Sequence, residues 1–349
     1  MNITKEKAKE ILFSLLDIPT VSGSEHLAEE KLTSLFGEYF DFYRSDTCGG
    51  HIFEIKCGKK NAKRLLIDTH IDEIGFIVTK VLEDGFLKVA NVGGIDTRIL
   101  PAAKVKVYGK ETVPAYFAST PPHLQDKNAS SGAPELSSLM LDTSLGDKAE
   151  EIVPVGTLCS FASEPTEMLF DCITAHGLDN KSSCAAALLA CMSVNREKLC
   201  FDIVLHLAGR EEVGCVGGRT GAYETLPDLA IVIDTEFASF PGVRSDKTVK
   251  RGKGPSLTVT PVCDRFLTTA LENIAKEISV PTQKIVYSSR TGTDADVVNI
   301  TANGVPCVLM GIPLSNMHTA EEIIDLNDIV NAARLICAFA EREGVCERY

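Results

Sequence analysis

Several short segments of this 349-residue chain close an apolar run on side chains that can bind cations or move protons. Leu65-Leu66-Ile67 leads to Asp68-Thr69-His70-Ile71-Asp72, and His70 and Asp72 fall on the same side of an extended run. The apolar stretch before Ala208 is followed by Gly209-Arg210-Glu211-Glu212, Ile231-Val232-Ile233 closes on Asp234, and Gly311-Ile312-Pro313 is soon followed by His318. Asp179 stands just before the apolar helix pattern of Ser183 to Met192. Each segment alone has an ordinary structural use: a loop hydrogen bond for His70 and Asp72, a helix N-cap for Asp179, an exposed acidic loop for Glu211-Glu212. Together they gather two imidazoles and several carboxylates at strand ends, where open α/β sheets bind ligands. Imidazole nitrogen and carboxylate oxygen are the donors that zinc-like ions take at about 2.0–2.2 Å. A carboxylate shared by two ions roughly 3.5–4 Å apart is the usual core of a two-metal hydrolase, and adjacent Glu residues can divide metal binding from proton transfer.

Such side chains need a sheet to bring them together. Apolar runs at Leu65 to Ile67, Ile203 to Leu207, Leu229 to Ile233 and Val305 to Met310 alternate with helical patterns, which predicts an α/β fold with a mostly parallel central sheet. Helices are expected at 5–17, where Ala8, Ile11, Leu12, Leu15 and Leu16 form one stripe, and at 182–193 and 326–342. Ser22 and Glu25 have capping-box spacing ahead of a second helix carrying Leu27, Ala28, Leu32 and Leu35. Between 73 and 165 the texture becomes β-rich, with a turn at Glu83-Asp84-Gly85 and a Pro-rich stretch from Pro114 to Leu124.

Composition removes whole classes of function. Apolar residues make 44% and charged residues 24%, as in a globular chain. Lys and Arg number 35 against 48 Asp and Glu, a net charge of −13, so no basic footprint exists for nucleic acid. No run of about 18 apolar residues suggests a membrane span, and the amphipathic start without an apolar signal region points to the cytoplasm. The twelve Cys are scattered without a Cys-x-x-Cys and read as reduced, mostly buried thiols. His206 reads as a satisfied core residue, His176 as a neighbour of the Asp179 cleft, and Val216-Gly217-Gly218 lacks the residues of a nucleotide loop.

In order and spacing, the motifs IPTVSGSE (18–25), THIDEIGF (69–76), PPHL (121–124), GLDNKSS (177–183), GREEVGCVGG (209–218), VIDTEFA (232–238), GTDADVVN (292–299) and MHTAEEIIDLND (317–328) resemble the tetrahedral and glutamyl aminopeptidases. These are cocatalytic metallopeptidases, and some members carry cellulase or endoglucanase names. The resemblance implies a discontinuous catalytic domain at 1–70 and 166–349, with helices on both faces of its sheet, and an inserted β-barrel-like assembly domain at 71–165. It makes His70 and Asp234 ligands of one divalent ion, Glu212 and His318 ligands of a second, and Asp179 the bridge. Asp72 then orients His70, and Glu211 is the general base. Zinc is the first expectation for the two ions, with cobalt and manganese as alternatives. Peptides are the expected substrates and a homo-oligomer, up to a twelve-subunit tetrahedron, the expected assembly.

The chain departs from the family pattern in two places. Asn180-Lys181 stands where relatives have Asp-Arg, and Thr291 and Asp296 stand where relatives have a second Gly and a small residue. Two other functions were weighed. Glycoside hydrolysis needs two carboxylates and no metal, and a catalytically silent assembly protein would not need an intact donor set.

Overall fold

The computed structural model describes residues 2–120, 122–124 and 132–345. Pro121 of the PPHL motif and Cys346 lie outside them. Four parallel strands occupy the middle of an eight-stranded sheet, in the order Phe201–Ala208, Lys63–His70, Leu229–Phe237 and Cys307–Leu314. Successive side chains of a strand alternate between faces. Here both faces are apolar: Leu65, Ile67, Ile203, Leu205, Ile231 and Ile233 enter one core, and Leu66, Val204, Ala230 and Val232 another. Helices cover both. Lys5–Leu16, Leu178–Ser193, Arg265–Glu277 and Leu326–Ala340 pack on the first core, while Ala222 of Val216–Thr225 packs into the second. The edges depart from the parallel pattern, because His51–Ile55 and Ser256–Val259 run antiparallel to their inner neighbours. Burying one Leu fully contributes about 1.5–3 kcal/mol, and Leu178–Ser193 has Leu178, Leu188 and Leu189 wholly enclosed.

The predicted β-rich stretch closes into a six-stranded antiparallel barrel of Gly75–Val81, Phe86–Val92, Leu141–Asp142, Thr112–Phe117, Lys104–Tyr108 and Leu158–Phe161. Closure leaves no free strand edge. Phe76 anchors its core, with its ring 5.0 Å from Phe117 and 5.4 Å from Phe161. The expected capping box does not form. A short 3-10 turn, Glu25–Ala28, precedes the helix Glu29–Phe36, and the Ser22 hydroxyl donates to Asp72. Glu25 turns inward to accept the backbone N–H groups of Gly23 and Arg210. Among the described residues no helix is long and apolar enough to cross a membrane.

His206 is a core residue whose satisfaction is ionic. Its ring is fully buried between Asp68, 2.7 Å from Nδ1, and Asp46, 2.9 Å from Nε2. Burial disfavours the imidazolium, but the two carboxylates outweigh it and raise the pKa to about 9. The raised value contributes stability that is complete below the unfolded pKa of about 6.5 and is lost as pH rises through about 9, roughly 3 kcal/mol in all. His206→Leu should lower the melting temperature at pH 6.5 and flatten the decline in stability between pH 7 and 9.5. An unchanged pH profile in thermal denaturation would show that the ring is not charged in the folded chain.

Candidate active site

The functional side chains converge because the middle strands end together. Lys63–His70 ends on His70, and Asp72 follows it. Phe201–Ala208 runs into Glu211 and Glu212, and Asp234 lies near the end of Leu229–Phe237. His318, with φ of 62°, stands in the loop after Cys307–Leu314. Asp179 starts the helix Leu178–Ser193 with non-helical φ and ψ, and its peptide bond to Asn180 is cis. It is not an N-cap: Gly177 holds that position and no side chain caps the helix, while Asp179 Oδ1 is buried without a hydrogen-bond partner.

Among the described residues four donor sets overlap, and two of them share Asp179. His70, Asp179 and Asp234 form one group, and Asp179, Glu212 and His318 the other, the donor atoms of each lying within 4.8 Å of one another. His70 Nε2 is 3.4 Å from Asp179 Oδ1 and 3.5 Å from Asp234 Oδ1. His318 Nε2 is 3.5 Å from Asp179 Oδ2 and 3.3 Å from Glu212 Oε1. A carbonyl oxygen can only accept, so the 3.0 Å contact of His70 Nδ1 with Asp72 O puts a proton on Nδ1 and turns Nε2 toward the carboxylates of Asp179 and Asp234. Asp72 does more. Its Oδ1 accepts Glu211 N–H at 3.0 Å and its Oδ2 accepts Glu212 N–H at 3.2 Å, so one buried carboxylate sets both glutamates. Two imidazoles, clustered buried carboxylates and an Asp179 oxygen without a hydrogen-bond partner are a donor set of the kind divalent cations satisfy.

Charge is concentrated here. Burial opposes ionisation of His318, yet Asp179 and Glu212 raise its pKa to about 11. For Glu211, burial and the neighbouring Asp234, Glu212 and Asp72 push the pKa up to about 8 despite the opposing pull of His70. Cys215 donates to Glu211 Oε1 at 3.3 Å, and Asp294 is buried beside both. The cavity these groups line holds about 440 Å³. The barrel supplies part of its wall, since Gly94 lines it and a Cβ there would stand 3.3 Å from His318 Nδ1.

Residues 49–335 match the sequence profile of the M42 glutamyl aminopeptidase family. The chain belongs to that family. It is an aminopeptidase of peptidase family M42, a metal-dependent family. Similarity to the lysyl aminopeptidase of Pyrococcus furiosus is 27% identity over 338 residues, covering 95% of this chain and 96% of that one. The TET aminopeptidase of a marine-sediment Thaumarchaeota archaeon superposes with a TM-score of 0.91 at 26% identity, covering 97% of each chain. The TET1 peptidase of Pyrococcus horikoshii, which can assemble into a tetrahedron or a large octahedral shell, gives 0.82 at 25% identity over 96% of this chain and 98% of that one.

Within this M42 fold the departures have partners. Asn180 Nδ2 donates to Ile233 O at 3.0 Å, and Lys181 forms a buried ion pair with Glu73 at 2.6 Å. Asp296 accepts from the N–H and hydroxyl of Thr291 and from Gly292 N–H, which fixes the loop lining the cavity. Glu322 had no place in the sequence reading. It is fully buried and accepts Asp179 N–H at 3.1 Å and His318 N–H at 2.8 Å, so it ties together two of the clustered residues. Its one signal in the sequence is its place in MHTAEEIID, four residues before the last helix, Leu326–Ala340. His176 is not on the cavity; its ring is held by Ile74 O and Thr319 O. His123 is exposed on the insert.

Proposed function

We propose that this M42 aminopeptidase removes N-terminal residues from peptides at a dinuclear site. His70 and Asp234 hold one divalent ion, Glu212 and His318 hold the second, and Asp179 is shared. The observation that supports this most is the membership of Asp179 in both donor groups with an orphaned buried oxygen. When bound, the ions supply Lewis acidity and a stronger nucleophile at neutral pH. Glu211 takes the proton of the attacking water and returns it to the leaving amine. Asp72 is a positioning residue, fixing the His70 ring and the Glu211 and Glu212 backbones. The mixed imidazole and carboxylate donors suit zinc first, with cobalt or manganese as alternatives.

The same reading makes 1–70 and 166–349 the catalytic domain and 71–165 an assembly domain, and it places the chain in the cytoplasm as a homo-oligomer. A reducing compartment suits the eleven free cysteines among the described residues. The twelve-subunit form follows a similar structure that is a dodecamer. Glycoside hydrolysis is disfavoured, because its paired carboxylates flank a bond about 5–9.5 Å apart, whereas these crowd around two imidazoles. A silent assembly protein is disfavoured by the care with which Asp72 holds Glu211. One experiment tests function and assembly together. Size-exclusion chromatography with light scattering, followed by aminoacyl-reporter assays of each fraction with zinc, cobalt or manganese supplied, should find activity in an assembly far larger than 37.7 kDa. Activity confined to a monomer would overturn the assembly, and no hydrolysis of any aminoacyl reporter would overturn the function.

A further inference from the structure

The family name and the name of the Pyrococcus furiosus relative point to substrates of opposite charge, so membership does not fix the first residue. We infer that Glu236, supported by Tyr287, forms the subsite for the substrate's first side chain and selects a cationic one, lysine or arginine; this rests on the peptidase reading above.

Glu236 is two residues beyond Asp234 on the strand Leu229–Phe237, and both line the same cavity. It is only 6% exposed. Its Oε1 is fixed, accepting the N–H of Phe237 at 3.0 Å and the hydroxyl of Tyr287 at 2.7 Å. Its Oε2 has no hydrogen-bond or ion-pair partner among the described residues, yet it does not belong to the sealed, unpartnered atoms. A carboxylate held by one oxygen and open at the other is oriented to receive a ligand. Gly311 keeps the wall beside it clear, since a Cβ there would stand 2.7 Å from Glu236 Cβ.

The charge inventory gives the sign. Among the described residues the lining contains the carboxylates of Asp179, Glu211, Glu212, Asp234 and Glu236 and no Lys or Arg. Divalent ions would be matched by the ligand carboxylates Asp179, Glu212 and Asp234, whereas no Lys or Arg of the lining stands beside Glu236. Arg290, the cation nearest in sequence to the lining loop, is exposed and outside the cavity. An acidic first side chain would meet Glu236 as a like charge, and a neutral one would desolvate its free oxygen without replacing the lost water. A lysine ammonium or arginine guanidinium supplies a charge-assisted hydrogen bond instead.

The test uses the full-length chain with divalent metal supplied and four reporters, the lysyl, arginyl, leucyl and glutamyl amides of aminomethylcoumarin. The wild type should rank the two basic reporters first and the glutamyl reporter last in kcat/KM. Glu236→Gln should lower the lysyl-to-leucyl ratio by about 10- to 200-fold, the span of a hydrogen bond to a charged group. Tyr287→Phe should lower it less, and competitive inhibition by lysinamide relative to leucinamide should weaken in parallel. A wild type that prefers leucyl or glutamyl reporters overturns the inference whatever the variants do. A uniform fall on all four reporters in Glu236→Gln overturns it too, because Glu236 would then hold the α-ammonium common to every substrate. Cleavage of no reporter by the wild type, in contrast, marks a failure of the peptidase reading itself.

Discussion

Glu211→Gln is expected to retain both divalent ions and to lose about 10²- to 10⁴-fold in turnover, the contribution typical of a positioned general base. Its backbone is fixed by Asp72 independently of its side chain, so the amide should occupy the same place. An amide cannot accept a proton at neutral pH, whereas the geometry that binds metal is left to other residues. Glu212→Gln should behave differently. Its Oε1 faces His318 Nε2 at 3.3 Å, and a neutral amide oxygen is a much weaker cation donor than a carboxylate. One ion should therefore be lost on dialysis, and excess metal should restore part of the activity. Metal content measured by mass spectrometry beside kcat decides the matter. The two roles are wrongly assigned if Glu211→Gln comes out metal-poor while Glu212→Gln keeps two ions and stays inactive.

Asp179→Ala should remove both ions at once and abolish hydrolysis, and added zinc should not recover it. The residue belongs to both donor groups, so its loss leaves His70 with Asp234 and His318 with Glu212 as separate pairs. A ligand that binds only the folded state stabilises it in proportion to RT ln(1 + [L]/Kd). A chelator should accordingly lower the melting temperature of the wild-type chain and stop its turnover, yet leave the melting temperature of Asp179→Ala where it was. Wild-type protein that remains fully active after exhaustive metal removal would defeat the dinuclear reading.

The parts of this site that sequence made visible are those where one short segment contains both the scaffold and the reactive group. His70, Glu211, Glu212 and Asp234 each follow an apolar run whose strand is found close to its expected limits. Glu322 was invisible for the opposite reason. Its role is to hold two backbone N–H groups 143 and 4 residues away, and no local pattern encodes such a contact. Ser22 and Glu25 show how a local rule misleads: the capping-box spacing is present, but the buried carboxylate of Asp72 and the N–H groups of Gly23 and Arg210 compete for the same side chains. Glu236 lies inside VIDTEFA with no local pattern to mark it, since its significance depends on which charges surround it in the cavity. Edge strands such as Phe42–Ser45 and Gln283–Val286 are short and half exposed, with too little apolar alternation to stand out.

The Thr291 and Asp296 pair makes two side chains of one loop depend on each other. Asp296 spends its carboxylate on Thr291 and Gly292, and without the Thr291 hydroxyl it would lose one of those donors. Thr291 alone, with a small residue at 296, would leave its N–H without that acceptor and its hydroxyl with only Thr293, 2.9 Å away. The two positions are therefore coupled, and a double-mutant cycle should find their substitutions non-additive. Thr291→Gly and Asp296→Ala together should lower the melting temperature by less than the sum of the two single changes.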